Sequence, residues 1–128
     1  KRSMPFGSSL NLEGRKAVED GSAVEQAIKF IGKRLDEPLN LSRVADEVHL
    51  SPTYFARLFK KEMGLTFHDY LTQLRIREAA RLLKDTSLPI SEISIRVGYK
   101  DPNYFSQVFR RVMKTTPTDF RNVGILKF

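Results

Sequence analysis

The sequence has 128 residues, 22 Lys and Arg against 15 Asp and Glu, and a formal net charge of +7; this is room for one main core, with a charge balance that favours polyanions, either nucleic acid or an acidic membrane surface. The absence of cysteine excludes disulfide frameworks, thiolate zinc sites and cysteine nucleophiles, and it suits a reducing, cytoplasmic compartment. No run approaches the roughly 18 apolar residues of a membrane span and no signal-peptide pattern opens the chain, so a soluble protein with no membrane role is expected.

Residues 1–22 contain Pro5, Gly7, Ser8, Ser9, Gly14, Gly21 and Ser22 with few apolar residues in register, the composition of a linker or disordered arm. The chain also opens on Lys1 rather than Met, as a piece of a longer protein would. The arm holds four basic and three acidic side chains, so +6 of the +7 falls on the other 106 residues. A folded domain is predicted over residues 23–128. Its first helix is marked by Ala27, Ile28, Ile31 and Leu35 at spacings of three and four.

Strand signals are absent, and an internal repeat organises the remainder of the chain. Residues 51–63, SPTYFARLFKKEM, recur 50 positions later as residues 101–113, DPNYFSQVFRRVM. Upstream, residues 41–48 pair with residues 90–97 at an offset of 49, so the second copy has one more turn residue. In each copy Ser51 or Asp101 suits the N-cap and Pro52 or Pro102 the first helical position. Phe55, Leu58, Phe59 and Met63, like Phe105, Val108, Phe109, Val112 and Met113, form the stripe of a core-facing helix. A short helix, a turn of three or four residues and a longer helix make a helix-turn-helix, here present twice. The expected fold is therefore all-α, two helix-turn-helix subdomains on a central linker helix with about seven helices in all. The first unit covers residues 23–65, the linker helix 66–84 and the second unit 88–122.

The linker helix opens at Thr66-Phe67-His68-Asp69, an Asp form of the capping box. Phe67, Tyr70, Leu71 and Leu74 cluster on one face, and Ile76, Ala79, Ala80 and Leu83 on roughly the opposite one, as expected of a helix shared by two bodies. Its span of roughly 26 Å approaches the repeat of about 34 Å in B-DNA.

The face left over by the core stripe carries Thr53, Ala56, Arg57, Lys60 and Lys61 in the first long helix, and Asn103, Ser106, Gln107, Arg110 and Arg111 in the second. Arg can bond two acceptors of guanine, Asn or Gln can match adenine, and small methyls can touch thymine. Lys60, Lys61, Arg110 and Arg111, further along, suit phosphates. Such residues also populate ordinary solvated faces; their recurrence on the second helix of both copies favours recognition. Tyr54, Phe55, Phe59, Tyr104, Phe105 and Phe109 recur at helical spacing and are expected in the core rather than on stacked bases.

Over about residues 25–122 the sequence resembles the AraC/XylS-type bacterial transcription regulators. The resemblance is carried by Ile93, Val97-Gly98-Tyr99, Asp101, Tyr104-Phe105, Phe109-Arg110, Thr116-Pro117 and Phe120-Arg121, with Arg75-Ile76, Ala79 and Leu82-Leu83 in the linker helix. It implies double-stranded DNA as partner, with two units in successive major grooves, and activation of transcription through RNA polymerase. It also implies a sensing or receiver domain elsewhere in the full protein. Base-reading positions carried over from the family fall on Thr53, Ala56, Arg57, Pro102, Asn103 and Gln107, and Ser106 joins them from its place on the polar face. Lys114 departs from the glycine expected after the second recognition helix, which Gly64 keeps in the first; it strains that cap and offers another phosphate contact. Ala56 and Pro102 give no side-chain hydrogen bond, leaving direct readout to Arg57, Asn103 and Gln107.

No cofactor, metal or catalytic residue is expected: His49 and His68 are the only histidines, and no phosphate-binding glycine loop or acid pair accompanies them. A basic helical module docking protein or membrane, or an RNA binder, are the rival readings. The first would need an unassigned apolar stripe, and the second lacks sheet-borne aromatic motifs.

Overall fold

The computed structural model describes residues 12–126, with side chains described for residues 22–123. Seven helices and no strand occur among them: α1 (Leu12–Lys33), α2 (Leu41–Glu47), α3 (Pro52–Met63), α4 (Phe67–Asp85), α5 (Ile90–Arg96), α6 (Pro102–Met113) and α7 (Pro117–Leu126). The all-α, seven-helix expectation is met. The arm differs from its expectation, because α1 begins at Leu12 and residues 12–22 are helical rather than linker. Glu13, Arg15, Lys16, Ala17 and Glu19 are good helix formers, and together they outweigh the roughly 1 kcal/mol that each of Gly14 and Gly21 costs in a helix. The rest of the expected arm, residues 1–11, lies outside the described residues.

The chain divides into two compact units. The first holds the described residues up to Arg34 together with Leu39–His68, and the second holds Leu35–Pro38 and the chain from Asp69 onward. In the first unit α1, α2 and α3 contact one another and bury Ala27, Ile31, Val44, Ala45, Phe55 and Phe59 completely. Phe55, Phe59 and Phe67 form a triad of rings with centroids 5.7–6.1 Å apart, two of the three pairs edge-on, as ring quadrupoles favour. In the second unit Ile76, Ala79, Leu82 and Leu83 of α4 join Ile93, Val97, Phe105, Val108 and Phe109 in one cluster. Here the third ring is Phe120 of α7, 5.6 Å from Phe109.

Helix α4 begins with Phe67 and His68 in the first unit, and the boundary falls before Asp69. Ile76, Ala79 and Leu83 line the second core as their shared face predicts, and Phe67 joins the first. Tyr70, Leu71 and Leu74 follow the boundary in the chain.

The segment Leu35–Pro38, which joins two helices of the first unit, belongs to the second in space. Arg75 holds it. This side chain is 8% exposed, donates from Nη2 to the Glu37 carbonyl at 2.7 Å and places its guanidinium 5.6 Å over the Tyr99 ring. Burial pushes the Arg75 guanidinium below its ordinary value, with Tyr99 acting in the opposite sense, and its buried Nε has no hydrogen-bond partner.

Candidate nucleic-acid interface

Both helix-turn-helix turns are built by the same backbone device. After α2, His49 N–H donates to the Asp46 carbonyl and Leu50 N–H to the Ala45 carbonyl. After α5, Gly98 N–H donates to Ile95 and Tyr99 N–H to Ser94. This is the Schellman pattern, which needs a left-handed residue just past the helix, and His49 and Gly98 take that role with φ of 62° and 102°. The second turn, longer by Lys100, is tied further by the fully buried Ser94, whose hydroxyl donates to the Tyr99 carbonyl at 2.7 Å.

The turns lead into α3 and α6 through the expected caps. Ser51 Oγ accepts from Tyr54 N–H at 3.2 Å, and Asp101 Oδ1 accepts from Asn103 N–H at 3.0 Å, each followed by proline in the first turn. Asn40 caps α2 by accepting from Arg43 N–H, and Thr116 Oγ1 accepts from Asp119 N–H at the start of α7. At the far ends Gly64 and Lys114 are both left-handed, with φ of 83° and 67°, and each donates its N–H to a carbonyl four residues back. Lys114 thus holds a conformation that disfavours a side chain by about 1–2 kcal/mol. Lys114→Gly is expected to stabilise the protein by about 1 kcal/mol, a rise of about 4 °C in thermal midpoint. An unchanged midpoint would mean that the lysine side chain offsets the strain.

With Phe55 and Phe59, and Phe105, Val108 and Phe109, turned into the cores, the opposite faces are open. Thr53, Arg57, Asn103 and Gln107 are exposed, as are Lys60, Lys61, Arg110, Arg111 and Lys114. Ala56, Pro102 and Ser106 are half-buried on the same helices. Helix α6 has no acidic residue and α3 has only Glu62, so basic side chains outnumber acidic ones on each. The exposed ion pairs of Arg81 with Glu78 and Asp85, and of Arg96 with Glu92, lie on other helices.

Several positions expected in the cores are less buried than the sequence reading has them, among them Tyr54, Met63, Val112 and Met113, all half-buried. Leu58 is half-buried where its counterpart Val108 is buried, and it lines an open cavity with Tyr54, Arg57, Lys60 and Lys61. Tyr104, expected in the core, is 50% exposed, because core rings at Phe105 and Phe109 leave the position before Phe105 at the edge of the stripe. Its ring stands edge-on to Tyr99, centroids 5.9 Å apart. Burial pushes the Tyr99 hydroxyl above its ordinary range, opposed by Arg75 and, more weakly, by a hydrogen bond with Thr72 and by Arg111. His49 and His68 are both exposed. Among the described residues no group of three or more His, Asp or Glu is placed to hold a metal, and no helix is long and apolar enough to cross a membrane.

Two units, each offering the exposed basic face of a capped second helix, define a paired helix-turn-helix protein. Residues 44–122 match the helix-turn-helix domain family. Over 99 residues the chain is 36% identical to the regulatory protein SoxS of Escherichia coli, covering 77% of this chain and 92% of SoxS. It is 35% identical to the transcriptional activator RhaR of Mannheimia succiniciproducens over 88% of this chain and 41% of RhaR. The C-terminal domain of AraT, a response regulator from Geobacillus stearothermophilus, superposes with a TM-score of 0.77 and 39% identity, over 79% of this chain and 84% of that one. The chain belongs to the AraC-type helix-turn-helix family of transcription regulators. It spans about two fifths of the length of the longer curated relatives it matches.

Proposed function

We propose that this chain is the sequence-specific DNA-binding part of a bacterial transcription regulator working in the cytoplasm, with α3 and α6 seated in successive major grooves of one duplex. The observation that carries the reading is the duplicated construction: two second helices with the same caps and core rings, both exposing basic, hydrogen-bonding faces. Thr53, Ala56 and Arg57 in the first unit, and Pro102, Asn103, Ser106 and Gln107 in the second, meet base edges near the helix N-termini. Lys60, Lys61, Arg110, Arg111 and Lys114 meet phosphates. Arg57 suits guanine and Asn103 or Gln107 adenine, so the two half-sites differ in sequence. A site of roughly 16–20 base pairs follows if the recognition helices sit one helical turn apart.

RhaR is named an activator, and activation through RNA polymerase is the regulatory role we infer here. A sensing or receiver domain belongs to the full-length protein in this reading, since the chain matches under half of RhaR. Catalysis has no part in it.

Selection of bound duplexes from a randomised pool at about 100 mM salt tests the reading. Two recovered clusters about 10 base pairs apart are expected; recovery of no duplex, at this salt or lower, overturns it. Within the selected site, Arg57→Ala or Gln107→Ala is expected to weaken binding by about 1–3 kcal/mol and to relax preference at its own base pair. Lys60→Ala is expected to weaken all sequences alike and to lower the salt slope by about 1. An Arg57→Ala protein with unchanged affinity and preference would remove α3 from base readout.

A further inference from the structure

Tyr104 is the aromatic residue of α6 that the core does not absorb: it is 50% exposed beside the fully buried Phe105. Its ring stands edge-on against Tyr99 at 5.9 Å and 61°, and its hydroxyl acts electrostatically on that of Tyr99. Tyr99 is fixed in turn, packed 5.7 Å from Phe105 and lying under the buried guanidinium of Arg75. The Tyr104 ring is therefore braced along one side and open on the other. A tyrosine has only two side-chain torsions to order, so a braced one presents its hydroxyl at little further entropic cost.

Tyr104, Gln107 and Arg111 are spaced three and four residues apart and share one flank of α6. A helix in the major groove turns its central positions to base edges and its flanks to the groove walls, which are the phosphate backbones. Tyr104 and Arg111 lie furthest from the centre of the polar face, on the same side. The first recognition helix repeats the arrangement: Tyr54, Arg57 and Lys61 occupy the matching positions and, with Leu58 and Lys60, line an open cavity of 520 Å³.

We propose that Tyr104 is a DNA-backbone contact, its hydroxyl donating to a phosphate oxygen on the strand that Arg111 also meets. The proposal rests on the DNA-binding reading above. A phenol is a neutral donor, so this contact fixes register without displacing a counterion, unlike the cations around it.

Tyr104→Phe keeps the ring and its packing on Tyr99 and removes only the hydroxyl. Its affinity is to be measured across a salt series for the duplex that the parent selects and for an unrelated duplex. About fivefold weaker binding is expected on both, as for loss of one hydrogen bond, with an unchanged salt slope. Arg111→Ala is expected to lower that slope by about 1. In a set of duplexes each carrying a single neutral methylphosphonate linkage, one linkage should weaken the parent while leaving Tyr104→Phe no weaker than on the unmodified duplex. Tyr104→Phe binding both duplexes as the parent does overturns the contact alone. Loss confined to the selected duplex makes it a base contact and overturns it equally. A parent that binds neither duplex overturns the DNA-binding reading, and this contact with it.

Discussion

Gly98→Ala is expected to destabilise the protein by about 3–4 kcal/mol, enough to lower the thermal midpoint by more than about 10 °C. Two effects add. The residue sits at φ 102°, where any L side chain is strained by about 1–2 kcal/mol. A methyl group built there would also run into the Leu35 carbonyl oxygen and stand 2.7 Å from Cζ and Nε of Arg75. The carbonyl is backbone, and the guanidinium is held by Glu37, so neither can yield without unseating the segment Leu35–Pro38. Gly98→Asn separates the two effects, because asparagine tolerates the left-handed region but still carries a Cβ; it should recover only about 1 kcal/mol. The corresponding turn of the first unit already places His49 at φ 62°, so the left-handed bend alone accepts a side chain and the crowding is particular to Gly98. Urea denaturation of the three proteins measures this, and a Gly98→Ala midpoint matching that of the parent would mean that the packing around the second turn is looser than these distances imply.

This turn also marks the limit of what is legible in the sequence. The repeat, the N-caps at Ser51 and Asp101, the start of α4 after Thr66 and the left-handed cap at Gly64 can all be read directly, because each depends on local chemistry at fixed spacing. So can the exposed face of each recognition helix, which is what the apolar stripe leaves over. Arg75 and Arg121 cannot be read in this way. A periodicity argument assigns arginine to the solvent face, whereas both of these spend their guanidinium groups on main-chain carbonyls distant in sequence. That Leu35–Pro38 joins the second unit depends on Arg75 and is equally hidden. Periodicity misplaces Tyr104 for a related reason: a Tyr-Phe pair at the edge of a stripe puts one ring inside and one outside, and composition alone does not rank them. Residues 12–22 read as a linker on their glycines, which weigh less than the helix formers between them.

Arg121→Ala is expected to cost about 3 kcal/mol. Arg121 donates from Nε to the Leu83 carbonyl at 3.0 Å, from Nη1 to Leu88 at 2.8 Å and from Nη2 to Thr86 at 3.0 Å. Leu83 lies in the last turn of α4, whose final carbonyls have no partner within the helix, and Thr86 and Leu88 belong to the connection into α5. One planar cation thus closes α4 and shapes the entry to the second helix-turn-helix. Hydrogen bonds to a charged donor are each worth about 1.5–3 kcal/mol, and the half-buried site screens part of this, so the sum of three stays near that figure. Arg121→Lys keeps the charge but not the planar fork that reaches three diverging carbonyls, and it should recover no more than about 1 kcal/mol. That pair of variants separates geometry from charge. If lysine restored full stability, a positive end-charge opposing the α4 dipole would explain Arg121, and the three carbonyl bonds would be incidental. If lysine and alanine fell together, the fork itself would be what fixes the connection from α4 to α5. In that case binding to the selected duplex should also weaken more at about 37 °C than at about 10 °C, as the second unit begins to open.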